Sequence, residues 1–432
     1  MAIKMDYRLE LEAKIRRRRR RRRFNWIWWI LILLALVVGI FLIVRFTMPA
    51  SERSTSRETN PEEQEIKDIQ VQREEKEEEE EEGTPTEIEL VMAGDMLMHT
   101  QAIESGEMAD GTYNYDAIFE HTKEKFEAAD LAIANQETLT GGSELGLSGY
   151  PEFNIGYEFG DALVNAGFNV IAQANNHAQD MGEEGLLNCL NFWESEYPDI
   201  YLTGIHRGTE ENSDPLSLIP FGDVTIGILN YTDPMNKKVD LTETSVDRLD
   251  DESKIKEDIE RGKEQSDFLI VLPHWGEEYK TNPSDDQKKW ADVFLKNGVD
   301  LVIGAHPHVV EPVEMMEDDD GHKMLCYYSL GNFVEYPNLD TKEDGVCKYA
   351  LGAVADVKLK VEDGKISIND YSAEPVISHM VSGAGNLTVY FLNDYTEDLA
   401  KENELSSVDS SFSIDFLKSF FKENIGDAYK EE

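Results

Sequence analysis

From residue 87 onward, short apolar runs recur with segments of helical periodicity between them, and most of the runs end on residues able to bind a ligand. "IELVMAG" leads into Asp95, and "DLAIAN" into Gln136 and Glu137. "FNVIAQA" runs into Asn175, Asn176 and His177, and "DFLIVLP" into His274. "VDLVIGA" reaches His306 and His308, and "KMLCYYSLG" reaches Asn332. Buried strands separated by amphipathic helices specify an α/β layered domain, because each element must bury its apolar side against a neighbouring layer. One helix is written out in "NPSDDQKKWADVFLKNG", with Ser284 placed to cap its start and Gly298 just past its end. "GAVADVKLKVEDGKISINDYS" reads instead as a hairpin turning at Asp363-Gly364, so the sheets are expected to be mixed.

Ahead of this domain lies the clearest topological signal. "FNWIWWILILLALVVGIFLIV" is a 21-residue apolar run from Phe24 to Val44, interrupted only by Asn25. Such a length crosses about 30 Å of hydrocarbon as a helix. Eight arginines, Arg16 to Arg23, precede it, and Trp26, Trp28 and Trp29 suit an interfacial belt. The run lacks the short apolar region and A-x-A site of a cleaved leader, so it reads as an uncleaved signal anchor. The positive-inside rule then keeps 1–23 cytoplasmic and places everything after 24–45 outside. The expected localisation is the cell membrane, single-pass, with the C-terminal body extracellular. Residues 46–86, ending in the run Glu77–Glu82, read as an acidic, solvated spacer. The layered domain is expected over 87–385, and 386–432 as a helical appendage.

Charge narrows the partners. Eleven of the 41 basic residues but three of the 87 acidic ones lie before Phe24, leaving 30 against 84 and a net −54 in the remainder. Such a body repels polyanions unless cations mediate, so no nucleic-acid partner is expected. Cys189, Cys326 and Cys347 lack CxxC spacing and read as buried residues rather than disulfides or thiolate ligands.

In α/β sheets the carboxyl ends of strands line one crevice, so loops distant in sequence converge there. Here they bring Asp, Glu, Asn and His together. Taken singly, Asp95 suits a turn or an N-cap, Asn176 and His177 a turn, and His274 a structural site. Found together, they favour a divalent cation bound by oxygen and imidazole, with Mn, Zn or Fe better suited than a thiolate metal. In a strand, residues i and i+2 point to the same side, so His306 and His308 can face one pocket, each serving a different ion. His121, His206, His322 and His379 read as surface or structural residues.

In order, "AGDMLM", "ANQET", "QANNHAQDMGEEGL", "LPHWGEEY", "GVDLVIGAHPHVV" and "YYSLGNFV" resemble the CapA-type capsule synthesis proteins. That family is associated with poly-γ-glutamate capsules and is similar to calcineurin-like metallophosphoesterases. The resemblance covers 87–385 and implies a four-layer α/β/β/α sandwich with one or two divalent ions. It implies Asp95 and His308 on one ion, Asn176, His274 and His306 on the other, and Glu137 bridging them. His177 would stand near the leaving group as general acid or oxyanion stabiliser, and Asn332 would be a pocket residue. Phosphoesterases read Asp-x-His at the first motif, whereas here the third position is Leu97. Whether His99 replaces that histidine is open from sequence.

Two functions compete. One is a membrane-held metallohydrolase acting outside the cell on a phosphoester or an envelope-polymer amide. The other is a non-catalytic, metal-dependent component of capsule export or anchoring, whose partners are the capsule polymer or its synthesis and export machinery. A metal-free structural ectodomain is a third reading, and requires the convergent loops to be accidental.

Overall fold

In the computed structural model the described residues are 85–430, excepting 234, 338–344 and 382–385. The signal anchor and most of the acidic spacer lie outside them. Within the described residues no helix is long and apolar enough to cross a membrane.

The chain opens with β1 (Glu87–Met96), then β2 (Leu131–Asn135), β3 (Val170–Ala172) and β4 (Tyr201–Thr203). Next come β5 (Ile205–Arg207), β6 (Ser217–Phe221), β7 (Val224–Thr232), β8 (Thr244–Val246), β9 (Phe268–His274) and β10 (Leu301–Ile303). The remaining strands are β11 (Val313–Glu317), β12 (Lys323–Tyr327), β13 (Asn332–Val334), β14 (Leu351–Glu362), β15 (Lys365–Val381) and β16 (Asn386–Phe391). One sheet runs β16-β15-β14-β1-β2-β3-β4, with β13 also paired to β1. The other runs β11-β12-β10-β9-β7-β6, and β5 pairs with β8 apart from both.

Both sheets are mixed, as the sequence predicts. β1, β2, β3 and β4 are mutually parallel, as are β7, β9, β10 and β12, while β14, β15 and β16 form an antiparallel edge. The parallel runs align the carboxyl ends of β1, β2, β3, β9 and β10, which is where the polar loops follow. Their strands are buried on both faces and therefore read as unbroken apolar runs. Along β9, Phe268, Ile270 and Leu272 enter the large core shared with the first sheet, while Leu269 and Val271 face a second core. That second core is closed by two helices, Glu252–Gln265 and Asp285–Asn297, through Ile255, Ile259, Trp290 and Phe294. Two-residue alternation thus places β9 between two layers.

The helix at Asp285–Asn297 carries a full capping box between Ser284 and Gln287 and ends at Gly298 in the left-handed region. The hairpin turns at Asp363 (φ 52°) and Gly364 (φ 71°), joining Glu362 to Lys365. All three cysteines are free and buried. The expected appendage from 386 differs. Residues Asn386–Phe391 form β16, the edge strand beside β15, and the helix Ile414–Ile425 sends Leu417, Phe421 and Ile425 into the main core. The tail therefore completes the first sheet and its cover; in sequence, six strand residues before helical patterns carry too little periodicity to show this.

Two positions in this frame carry measurable consequences. A Cβ on Gly94 would lie 2.1 Å from the Gly331 carbonyl oxygen, because the chain entering β13 lies alongside β1 there and the Asp95 amide donates to that same oxygen. Gly94→Ala should cost about 3 kcal/mol of stability through backbone displacement, read as a lowered thermal midpoint. Farther along, Glu311 is fully buried, with Oε2 accepting from Gln287 Nε2 at 2.6 Å and Oε1 unpartnered. Burial pushes its carboxyl up to about 8, against the pull of that hydrogen bond. The native state thus holds this proton more tightly than the unfolded chain. The contribution is full below the ordinary carboxyl pKa and is lost as pH rises through about 8. Denaturation midpoints measured across pH should fall over that window in the wild type and fall less in Glu311→Gln.

Candidate metal centre

Six of the predicted ligands meet at the aligned strand ends, and all are buried: Asp95, Glu137, Asn176, His274, His306 and His308. Asp95 is the penultimate residue of β1, one residue beyond the close approach at Gly94, and its Oδ1 accepts from Asn135 Nδ2 at 2.7 Å. The His306 amide reaches both Asp95 oxygens at 3.2 Å, and His308 Nδ1 lies 3.2 Å from Oδ2. Around His274 Nε2 stand Asn176 Oδ1 at 2.8 Å, His306 Nδ1 at 3.2 Å and Glu137 Oε1 at 3.6 Å. Glu137 Oε1 is also 3.7 Å from His308 Nε2.

The two histidines of "AHPH" are not displayed by strand alternation. β10 stops at Ile303, and His306 (φ 100°) and His308 (φ 59°) both sit beyond it at positive φ. Non-glycine residues there cost of order 1–3 kcal/mol each, and such strain gathers at functional loops. The loop is held by the Tyr279 amide donating to the Pro307 carbonyl at 2.7 Å, and Tyr279 is itself at φ 65°. Strand periodicity thus predicts the right face for the wrong reason.

The donor set fits a divalent cation. Glu137 is fully buried and neither carboxylate oxygen has a hydrogen-bond partner; Asn176 Nδ2 and His274 Nδ1 are also unpartnered. A bare buried carboxylate is expensive to maintain unless it is paired or coordinates metal. A single N–H on His274 Nε2 can serve only one of the three atoms crowded around it, whereas one cation can draw in all of them. Two groups have mutually close ligand atoms and share Glu137: Asp95, Glu137 and His308; and Glu137, His274 and His306. A third joins the exposed Glu278 to His306 and His308. Burial by itself would push Glu137 up, but His308 and His274 hold it well below the usual carboxylate range. Burial opposes charge on His308 too, yet Glu137 and Asp95 raise it to about 10.

The remaining predicted residues fall around this cluster. His177 directs Nδ1 at Asp180 Oδ2 (2.7 Å) and Nε2 at Asn236 Nδ2 (3.1 Å). Asp180 accepts from Nδ1–H, and Nε2 faces the Asn236 amide, which can present its nitrogen to the free base or its oxygen to the protonated ring. Asn332 does more than line a pocket: its Oδ1 meets His308 Nδ1 at 2.9 Å, and its Nδ2 donates to the Tyr349 carbonyl. His99 joins none of the ligand groups, and its Nε2 faces Glu335 Oε1 at 3.4 Å. Leu97, at the third position of the first motif, is buried. The outlying histidines stay outside: His121 stacks on Tyr390, His206 pairs with Asp247, His322 meets the Val299 carbonyl, and His379 meets Tyr395. Sequence reading misses Asp180, Asn236 and Glu335. Asp180 was signalled by "HAQD", three residues after His177 in a turn; Asn236 reaches the site from a loop with no local signal.

A profile described as "Bacterial capsule synthesis protein PGA_cap" matches residues 89–337, more than half of the chain. The chain belongs to this family. All six clustered ligands, His177 and Asn332 fall within the matched span. Among relatives, the PGA biosynthesis protein CapA of Bacillus subtilis is 29% identical over 265 residues, covering 60% of this chain and 67% of the relative. The capsule biosynthesis protein CapA of Bacillus anthracis is 25% identical over 307 residues, covering 68% and 70%. Among solved structures, the calcineurin-like phosphoesterase YfkN of Bacillus subtilis aligns over 77% of this chain and 99% of its own at 15% identity. Its TM-score of 0.40 is too low to bear on the site.

Proposed function

We propose that this member of the capsule synthesis family is a membrane-anchored, metal-dependent hydrolase working outside the cell on a phosphoester or an amide of an envelope polymer. The observation that carries the reading is Glu137, a buried carboxylate with neither oxygen hydrogen-bonded, set between two histidine-containing groups that share it. The apolar run Phe24–Val44 and its preceding arginines support the anchor and the outward orientation. The family and its CapA relatives support a capsule polymer, or the machinery that makes or exports it, as the partner.

Asp95 and His308 are the residues to hold one ion, and Asn176, His274 and His306 the other, with Glu137 between them. Bound there, divalent metal supplies Lewis acidity and lowers the pKa of a water. The protein's own part lies around it. Asn332 fixes the His308 ring through Nδ1, leaving Nε2 toward Glu137. Asp180 holds the Nδ1 proton of His177, so that Nε2 is the atom able to carry a proton to a departing oxygen or nitrogen. Burial of the cluster excludes bulk water and strengthens each of these interactions.

A second reading, a non-catalytic metal-dependent binder of the polymer, is favoured by Leu97, which leaves the Asp95 side one imidazole short of the phosphoesterase motif. Manganese-loaded full-length protein, offered bis(p-nitrophenyl) phosphate and a γ-glutamyl anilide, separates the two. Hydrolysis of either probe that stops on chelation and returns with Mn²⁺ supports the hydrolase. Full metal occupancy with neither probe cleaved supports the binder.

A further inference from the structure

Glu335 is a second buried carboxylate that the ligand groups do not use. It is 5% exposed, its Oε2 has no partner, and its backbone amide donates to Ser378 Oγ at 3.2 Å. Its Oε1 faces His99 Nε2 at 3.4 Å. The His99 side chain is 25% exposed and packs edge-on against Phe153 (ring centroids 5.1 Å apart). Phe153 in turn meets His177 at 4.6 Å, so the two imidazoles border one phenyl ring. β13 pairs with β1 so that Asp95 stands opposite Asn332 and Met96 opposite Val334, and the Leu97 amide donates to the Val334 carbonyl at 2.9 Å, which sets Glu335, the residue after Val334, next to Leu97. The pair therefore stands beside the Asp95–His308 group without entering it.

We propose that His99 and Glu335 form a second proton-transfer pair of the site, placed to take the proton of the attacking water on the side where Leu97 removes an imidazole. This rests on the hydrolase reading. A buried carboxylate with one free oxygen and one imidazole contact is suited to accept a proton, and the part-exposed His99 connects it to solvent. As the water oxygen bonds to the phosphorus or carbonyl carbon, its proton passes to the pair. The bond to the leaving group breaks with its electron pair, and His177 supplies that group's proton. His99 then releases the accepted proton to solvent, and His177 is reprotonated from solvent. The two imidazoles thus divide acceptance and donation between them.

The test uses full-length protein loaded with Co²⁺, whose visible spectrum reports ionisation of bound water during a pH titration. In Glu335→Gln the spectral midpoint should rise by about one pH unit, because an anionic acceptor near the water has gone. His99→Phe should shift it in the same direction by less, and Glu335→Asp should restore part of the wild-type value. Cobalt content should stay unchanged in all three, which also shows that the fold is retained. An unmoved midpoint with cobalt bound overturns the pair while leaving the metal centre standing. Loss of cobalt in the variants also overturns it, by making these residues ligands. Failure of the wild type to take up Co²⁺ overturns the hydrolase reading and this inference together.

Discussion

Replacing Glu137 with glutamine is expected to weaken divalent-ion binding more than about 100-fold, the largest effect of any isosteric change in the chain. Even residues that merely orient ligands cost 10–100-fold, and Glu137 belongs to both of the fully buried candidate groups, so its charge serves each ion held there. The substitution keeps shape and volume and removes one negative charge, which separates electrostatics from packing. Stability gives a second readout. A ligand at 100 times its Kd stabilises the native state by about 2.7 kcal/mol, so saturating Mn²⁺ should raise the wild-type thermal midpoint. The Glu137→Gln midpoint should stay where it is. An equal rise in both proteins would mean that the ions bind elsewhere.

The second large effect concerns His177. Its substitution by asparagine should lower kcat about 1,000-fold with metal content unchanged, within the range that general acids contribute. The geometry sets this apart from a ligand: Nδ1 is engaged by Asp180 and Nε2 faces Asn236, and His177 is in none of the close ligand groups. Asparagine keeps a polar side chain in the same buried turn but cannot carry the proton. Metal analysis run beside the kinetics decides the role. Loss of metal would make His177 structural to the centre, and unchanged kcat would remove it from the chemistry.

Much of this site is legible in sequence because each ligand follows an apolar run, and parallel strands necessarily bring their carboxyl ends together. Asp95, Glu137, Asn176, His274, His306 and His308 all come within reach by that logic, without any helix or turn being placed accurately. What escapes is what tertiary contacts decide. His306 and His308 depend on a positive-φ loop tied to Tyr279, a geometry that strand alternation does not contain. Asn332 reads as a pocket residue until parallel pairing of β13 with β1 sets it opposite Asp95, beside His308. Glu335 follows "LGNFV" without any signal, because its partner His99 lies more than two hundred residues away. The tail misleads for a similar reason: β16 is a strand only because β15 offers an open edge.

The most direct test of the central claim is the metal content of full-length protein, wild type beside the His306→Ala/His308→Ala double variant, with circular dichroism confirming that both are folded. One or two divalent ions per wild-type chain, absent from the variant, is the predicted result. A folded wild type that binds no divalent ion, or a variant that retains the full complement, would contradict it.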